Sequence, residues 1–458
     1  MLAKKGSMDM CSGPLLKNIW KFAFPFMLTG ILQRLYHAAD VIVVGRFAGQ
    51  EALAGVGTTA SLITLILNLF LGLSAGVTVT IGRAIGAKKD KAISEIVHTT
   101  ILTAIICGAF VNVVGFIFAE SLLRLTGVPD SVMSYAKIYM QISFCGKIFV
   151  LVYNFGAAIL RAKGDTKRPL YIIMITGIVN VILNLVFVIN FKMASGGVAL
   201  ATIISQFLNA TSIIFLLMNE EESMKLYLNK LKINLRYLKD IAVIGIPAGI
   251  QSTIFSFSNV IIQSSVNSFN SSAAIAGSSA ANSIDGFFYI ALNSFFQASM
   301  AFVSQNMGAK KYERLNKIVV CCLLSVCIVW GAVALITIFF GSSLLEIYSP
   351  GDVEAIKWGI IRLTIVGTTY GLCGCMEVMS GALRGIGYSF FSMISAIAGV
   401  CGIRLVWIAT VFRAFKSFEV LFVSFPISWL GTFIFHLILF IILKRRIENQ
   451  NKSIEAKK

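Results

Sequence analysis

Asp40 is the residue in this sequence with the clearest capacity for ion chemistry. It lies in an apolar stretch and is followed directly by Val41-Ile42-Val43-Val44-Gly45. A carboxylate there is costly unless it is protonated, paired or bound to an ion. Burial also favours its proton-bearing form, which suits a proton carrier. A second reading places Asp40 near the outer end of its stretch, simply hydrated. His37 lies three positions earlier, close enough on a helix to handle a proton. Asn180 and Asn184 are four apart and so share a helix face. Amides at that spacing either line a polar site or hydrogen-bond between helices. Asn259, Gln263 and Asn267 recur every four residues and form one polar stripe. Lipid would not tolerate that stripe, so it is expected to face protein or a water-accessible cavity. Asp285 and Glu377 are further acids in apolar stretches, and Arg404 is a cation in another. Arg404 is expected to pair with one of those acids, because an unpaired arginine in lipid is expensive. A locked structural pair and a cleft-lining role both fit it.

Other chemistries find no support. The three histidines, His37, His98 and His436, are scattered without metal-binding spacing. No Gly-x-x-x-x-Gly-Lys-Ser/Thr phosphate loop occurs, so ATP drive within this chain is not expected. A hydrolase nucleophile elbow is not expected. An enzyme, a metal centre and a cofactor are therefore not expected. The nine cysteines fall mostly in apolar stretches and read as small apolar residues.

Those polar residues must be positioned by membrane-spanning helices. The chain has 458 residues, of which 57% are hydrophobic and 13% charged. Soluble domains carry roughly 25% charged residues. The mean hydropathy is +0.84. Spans are read near 17–44, 52–82, 93–119, 131–160, 169–190, 197–218, 239–266, 274–304, 315–340, 354–383, 390–412 and 418–443. Each exceeds the roughly 20 residues that cross a bilayer. Helices are required because backbone groups in lipid must satisfy one another. The net charge of +18 is not a nucleic-acid footprint. It concentrates on one side: the N-terminus, the loops around Lys88, Arg161, Lys230, Lys310 and Arg384, and the C-terminal tail. The opposite loops hold only Arg46, Arg124, Lys192, Lys357, Arg413 and Lys416. This asymmetry predicts a cell (inner) membrane protein with both termini cytoplasmic. The polar first residues, and a long first apolar stretch, predict no cleaved leader.

The two halves of the chain match. Pro25 corresponds to Pro247, Phe47 to Phe269, Ala54-Gly55 to Ala276-Gly277, and Gly86-Ala87-Lys88-Lys89 to Gly308-Ala309-Lys310-Lys311. Each pair is 222 residues apart, as 25 is from 247. Leu160-Arg161 and Gly164 recur as Leu383-Arg384 and Gly387. The fold class expected is an all-α membrane protein of 12 transmembrane helices in two six-helix lobes. Six spans per repeat is an even number, so a pseudo-twofold along the membrane normal relates the lobes. The lobes are expected over 1–218 and 239–458, with a polar cytoplasmic linker at 219–238. Such a pair of lobes around a cleft is the physical basis of alternating access.

The motifs of the repeat carry a resemblance. GPLLKNIWKFAFPFMLTGILQRLYHAADVIVVGRFAGQEALAGVG, LRAKGDTKRPL, GGVALATIISQ, FVSQNMGAKKYER and SGALRGIGYS together resemble the multidrug and toxic compound extrusion (MATE) family. The resemblance covers nearly every span. It implies a secondary active antiporter that exports amphipathic, often cationic, organic compounds in exchange for H+ or Na+. It implies small-molecule partners, a bilayer setting, no nucleic acid and a monomer. A lipid-linked sugar flippase of the same superfamily is the other activity it admits. It places a cation-coupling acid at Asp40, with Tyr36, Asn180, Asn184 and Thr202 around it. Many members carry Asp where this chain has Asn184, so the first lobe here has one carboxylate fewer.

Overall fold

A computed structural model describes residues 8–47 and 50–455. The helices are α1 (Leu15–Phe47), α2 (Gln50–Gly86), α3 (Asp90–Leu125) and α4, which runs as Asp130–Cys145 and Lys147–Ala162. They continue as α5 (Lys167–Leu185, extended by a π-helical turn Val186–Asn190), α6 (Ala194–Met218), α7 (Leu235–Asn267) and α8 (Ser272–Gly308). α9 (Tyr312–Tyr348), α10 (Val353–Gly385), α11 (residues 389–412) and α12 (Phe418–Glu455) complete the chain. Ten of these are long and apolar enough to cross a membrane. The two halves of α4, bent by 44°, pass the test together. α1 is 33 residues long, but Gln33, Arg34, Tyr36 and His37 lower its hydropathy. Among the described residues the fold is thus all-helical, in the twelve helical segments expected.

Helices of 33–37 residues are about 50 Å long. They outreach a hydrocarbon core of roughly 30 Å. Many large apolar side chains point outward, such as Phe110, Ile117, Ile338, Phe339 and Phe340. That surface suits lipid, not water.

The repeat is written into the backbone. α2 and α8 are both 37 residues long, and α1 and α7 are both 33. Lys88 and its counterpart Lys310 both adopt left-handed φ, at 52° and 57°. Gly164 and Gly387 do likewise, at 92° and 89°. The following amides close the same bonds: Asp165 N to Leu160 O and Tyr388 N to Leu383 O, each at 2.9 Å.

The chain divides into two compact units. The first runs from Leu28 to Gly249; the second takes Met10–Met27 together with Ile250 onward. Both divisions fall just after a helix-interior proline, Pro25 in α1 and Pro247 in α7. The first unit holds the leading half of α7 by glycine contacts. A Cβ on Gly72 would lie 2.2 Å from Gly249 N, and one on Gly76 would lie 2.1 Å from Ile241 O. Only glycine permits that approach. Gly72-Leu73-Ser74-Ala75-Gly76 has the spacing of a hydrolase nucleophile motif, but it is interior to α2. Ser74 Oγ donates to Leu71 O at 2.7 Å, so no elbow forms. In the second unit the leading half of α1 packs with aromatic side chains: Trp20 on Phe295 and Phe22 on Phe302.

The linker after α6 is strapped to α3. Tyr227 N–H donates to His98 Nε2 at 3.1 Å, and Asn234 N–H donates to Thr99 Oγ1 at 3.0 Å. Asn234 Nδ2 donates to Glu95 Oε2 at 2.6 Å. Buried ion pairs join the α4–α5 turn to the end of α6. Lys163 Nζ lies 2.7 Å from Glu220 Oε2, and Arg168 pairs with both Asp165 and Glu220.

Candidate functional site

Three helices of the first unit bring polar stripes to one place. α1 contributes Gln33, Tyr36, His37 and Asp40; α5 contributes Thr176 and Asn180; α6 contributes Thr202, Ser205, Gln206 and Asn209. The second half of α4 adds Phe149, Val150, Tyr153 and Asn154. Spacings of three and four keep each stripe on one helix face. Together they line a cavity of about 260 Å³.

Asp40 lies at its edge, only 6% exposed. It is buried, so the hydrated-end reading does not hold. Asn184 Nδ2 donates to Asp40 Oδ1 at 2.5 Å, and the same nitrogen lies 3.3 Å from Asn180 Oδ1. Thr202 lines the same cavity, and its hydroxyl donates to Val198 O at 2.9 Å. Tyr36 OH donates to Met174 O at 3.3 Å. Its ring lies flush on α5 at Gly177, where a Cβ would come within 1.8 Å of Tyr36 Cε2. Glycine at 177 therefore sets where Tyr36 stands. Three buried atoms of the group have no hydrogen-bond partner: Asn184 Oδ1, Ser205 Oγ and Gln206 Oε1. Orphaned buried acceptors are costly. They are also what a small hard cation or a donor-bearing ligand requires. One carboxylate among neutral amides and hydroxyls can hold one proton or one monovalent cation.

Asp40, Tyr36, Asn180, Asn184 and Thr202 are thus neighbours, and His37 lines the same cavity. Gln33, Asn154, Thr176, Ser205, Gln206 and Asn209 are additions that sequence reasoning missed. Their signal was available: Thr202, Ser205, Gln206 and Asn209 continue one helix face, and so do Thr176, Asn180 and Asn184.

The second unit is different. Asn259 and Asn267 are exposed and Gln263 is half-buried. Gln263 Nε2 donates to Asn267 Oδ1 at 3.2 Å. Arg404 does not pair with Asp285 or Glu377, contrary to expectation. Asp285 on α8 pairs with Arg362 on α10 at 3.3 Å. Arg362 also donates to Ser278 O at 3.0 Å and to Asn282 Oδ1 at 2.7 Å. The reason is helix orientation. α8 and α10 pack along their lengths, which puts Arg362 opposite Asp285. Arg404 on α11 turns toward α12 instead. There its Nε donates to Ser428 Oγ at 3.1 Å and its guanidinium covers Phe425 at 3.9 Å. Glu377 is buried in α10. On the same helix, Arg384 donates to Gln251 Oε1 at 2.9 Å.

Known proteins are similar to this chain in sequence and in fold. The chain is 26% identical over 383 residues to the "probable multidrug resistance protein YoeA" of Bacillus subtilis, covering 81% of this chain and 82% of that protein. It is 23% identical over 393 residues to an "FAD transporter" of Shewanella oneidensis, covering 84% and 85%. Its fold is similar to that of a "multidrug resistance MATE family transporter of the MOP superfamily" solved in an outward-facing conformation. That likeness has a TM-score of 0.90 at 20% identity and covers 98% of this chain and 100% of that one. The MatE family model matches residues 25–186 and 247–410, once in each half of the chain. A multi-pass helical membrane chain that carries the family's signature twice belongs to the MatE family of multidrug efflux transporters.

Proposed function

We propose that this chain is a secondary active antiporter that exports organic compounds, amphipathic and often cationic, in exchange for H+ or Na+. The observation that carries the reading is the meeting of three polar helix stripes around the buried, singly charged Asp40. Asp40 is the coupling residue, and Asn180, Asn184, Thr202 and Tyr36 hold and tune it. A cation drives transport only if it binds two arrangements of the protein with different affinity. A carboxylate with orphaned amide oxygens beside it supplies that difference when the helices around it shift. Asn259, Gln263, Asn267, Asp285, Glu377 and Arg404 are the second unit's candidates for contact with the exported compound. The charge asymmetry of the loops supports a topology with both termini in the cytoplasm. The chain is read as working as a monomer.

The test is ethidium efflux from cells at matched expression, wild type against Asp40→Asn, with the H+ and Na+ gradients collapsed in turn. Efflux should fall with one gradient and be lost in the variant. Wild-type rates from Asp40→Asn would end the reading and shift attention to Asp285 and Glu377.

A further inference from the structure

Arg404 is a buried cation whose hydrogen-bonding capacity is mostly unspent. It sits on a single α-helical turn, Ile403–Trp407, between two π-helical segments, Ile397–Gly402 and Ile408–Phe412. Such segments break the regular ladder and recur at functional positions. α12 supports the side chain with one helix face. Ser428 takes the Nε proton at 3.1 Å. Phe425 lies under the guanidinium at 3.9 Å, with Trp429 at 5.8 Å. These are positions i, i+3 and i+4 of one helix face. The residue is 4% exposed. Among the described residues no carboxylate lies within ion-pair distance of it. Neither Nη has a hydrogen-bond partner, and neither is sealed from accessible space.

Among the described residues the buried charged groups of the second unit are Arg362, Arg384 and Arg404 against Asp285 and Glu377. Arginine does not neutralise by losing its proton. One positive charge in the apolar interior is therefore left without an anion. An aromatic face and one hydroxyl offset only part of its desolvation. The free edge of a guanidinium is a two-pronged donor matched to carboxylate and phosphate oxygens.

We infer that Arg404 is the recognition residue of an anion subsite in the second unit, taking the carboxylate or phosphate oxygens of an organic ligand. Phe425 and Ser428 are its positioning residues. They hold the guanidinium flat with its Nη edge presented. This deepens the transport reading by adding an anionic group to the exported compound, and rests on that reading only for the anion being cargo.

The test is a binding titration of the full chain in phosphatidylcholine nanodiscs, read by tryptophan fluorescence and calorimetry. The probes are benzoate, phenyl phosphate and inorganic phosphate, with benzylammonium as the cation control. Benzoate or phenyl phosphate should bind saturably and change the Trp429 signal, and Trp429→Phe should remove the signal but not the heat. Arg404→Gln should weaken binding about tenfold or more. Arg404→Lys keeps the charge without the fork and should fall between. If Arg404→Gln does not fold, Arg404→Lys and Phe425→Leu with unchanged melting carry the test. Weakened binding in either supports the subsite; wild-type affinity in both overturns it. Absence of saturable anion binding by the wild type also overturns it. Repeating the titration in phosphatidylglycerol nanodiscs separates sources. Competition there identifies a lipid headgroup, and unchanged affinity identifies a soluble anion; either supports the guanidinium as anion receptor. Asp40→Asn should keep anion binding, so the coupling reading and the anion subsite fail separately.

Discussion

At the position 222 residues beyond Asp40 the second repeat has Ile262, and the counterparts of Gln33, Tyr36 and His37 are Phe255, Ser258 and Asn259. The backbones agree to the level of matching left-handed turns at Lys88 and Lys310. The interiors do not agree. Around its cavity the first unit sets one carboxylate among amides and hydroxyls. The second keeps three buried arginines, each with its guanidinium over an aromatic ring. Duplication therefore preserved what closes the helices and turns, and released what lines them. Buried apolar surface and backbone bonds constrain both copies alike. A polar site needs its partners only in the copy that uses it.

Six substitutions test this division of labour, taken from the largest expected effect. Asp40→Asn should lower efflux at matched expression by roughly a hundredfold, the scale of losing a cation's bias between two states. Near-normal insertion and melting should accompany that loss. Arg362→Met should cost the second unit about 3–5 kcal/mol, because it breaks a buried ion pair and leaves the Asp285 charge in place. Pairing it with Asp285→Leu should recover much of the loss in a thermal melt. No recovery would mean that the Ser278 and Asn282 bonds, not the ion pair, dominate. Ile262→Asp puts the first unit's acid into the second. A carboxylate forced into that apolar position should destabilise by a few kcal/mol and confer no second cation dependence on efflux. A gain of coupling would break the contrast between the units.

Gly177→Ala should push Tyr36 from its seat, at about 1–3 kcal/mol of overpacking. Efflux should drop more than stability if Tyr36 shapes the site; equal changes would mean that it only packs. The smallest effect is expected at the strap. His98→Ala removes the acceptor for Tyr227 N–H and should cost about 1–2 kcal/mol. Faster hydrogen exchange confined to the linker between α6 and α7 would localise it.

Much of this was legible in the sequence. Twelve apolar segments, their all-helical character and the doubled motif follow from hydropathy and from residue identities 222 apart. Bilayer physics leaves few other solutions. Asp40 stood out because a lone acid in an apolar run is conspicuous. The stripe on α6 was equally present at helical spacing, but Ser, Thr, Gln and Asn are common enough in spans to pass unnoticed until helices converge.

Only the tertiary structure decided partners. Nothing in the spacing of Asp285, Arg362 and Arg404 says which arginine meets the acid. That depends on α8 packing along α10 while α11 turns its arginine toward α12. The compact units likewise divide inside α1 and α7, beyond Pro25 and Pro247, where a hydropathy profile sees one unbroken span. Sequence sets which segments leave water, because transfer energy is a property of each residue. Pairing is a property of helix rotation and approach, and those are fixed by contacts between residues far apart in the chain, such as Gly72 with Gly249 and Tyr36 with Gly177.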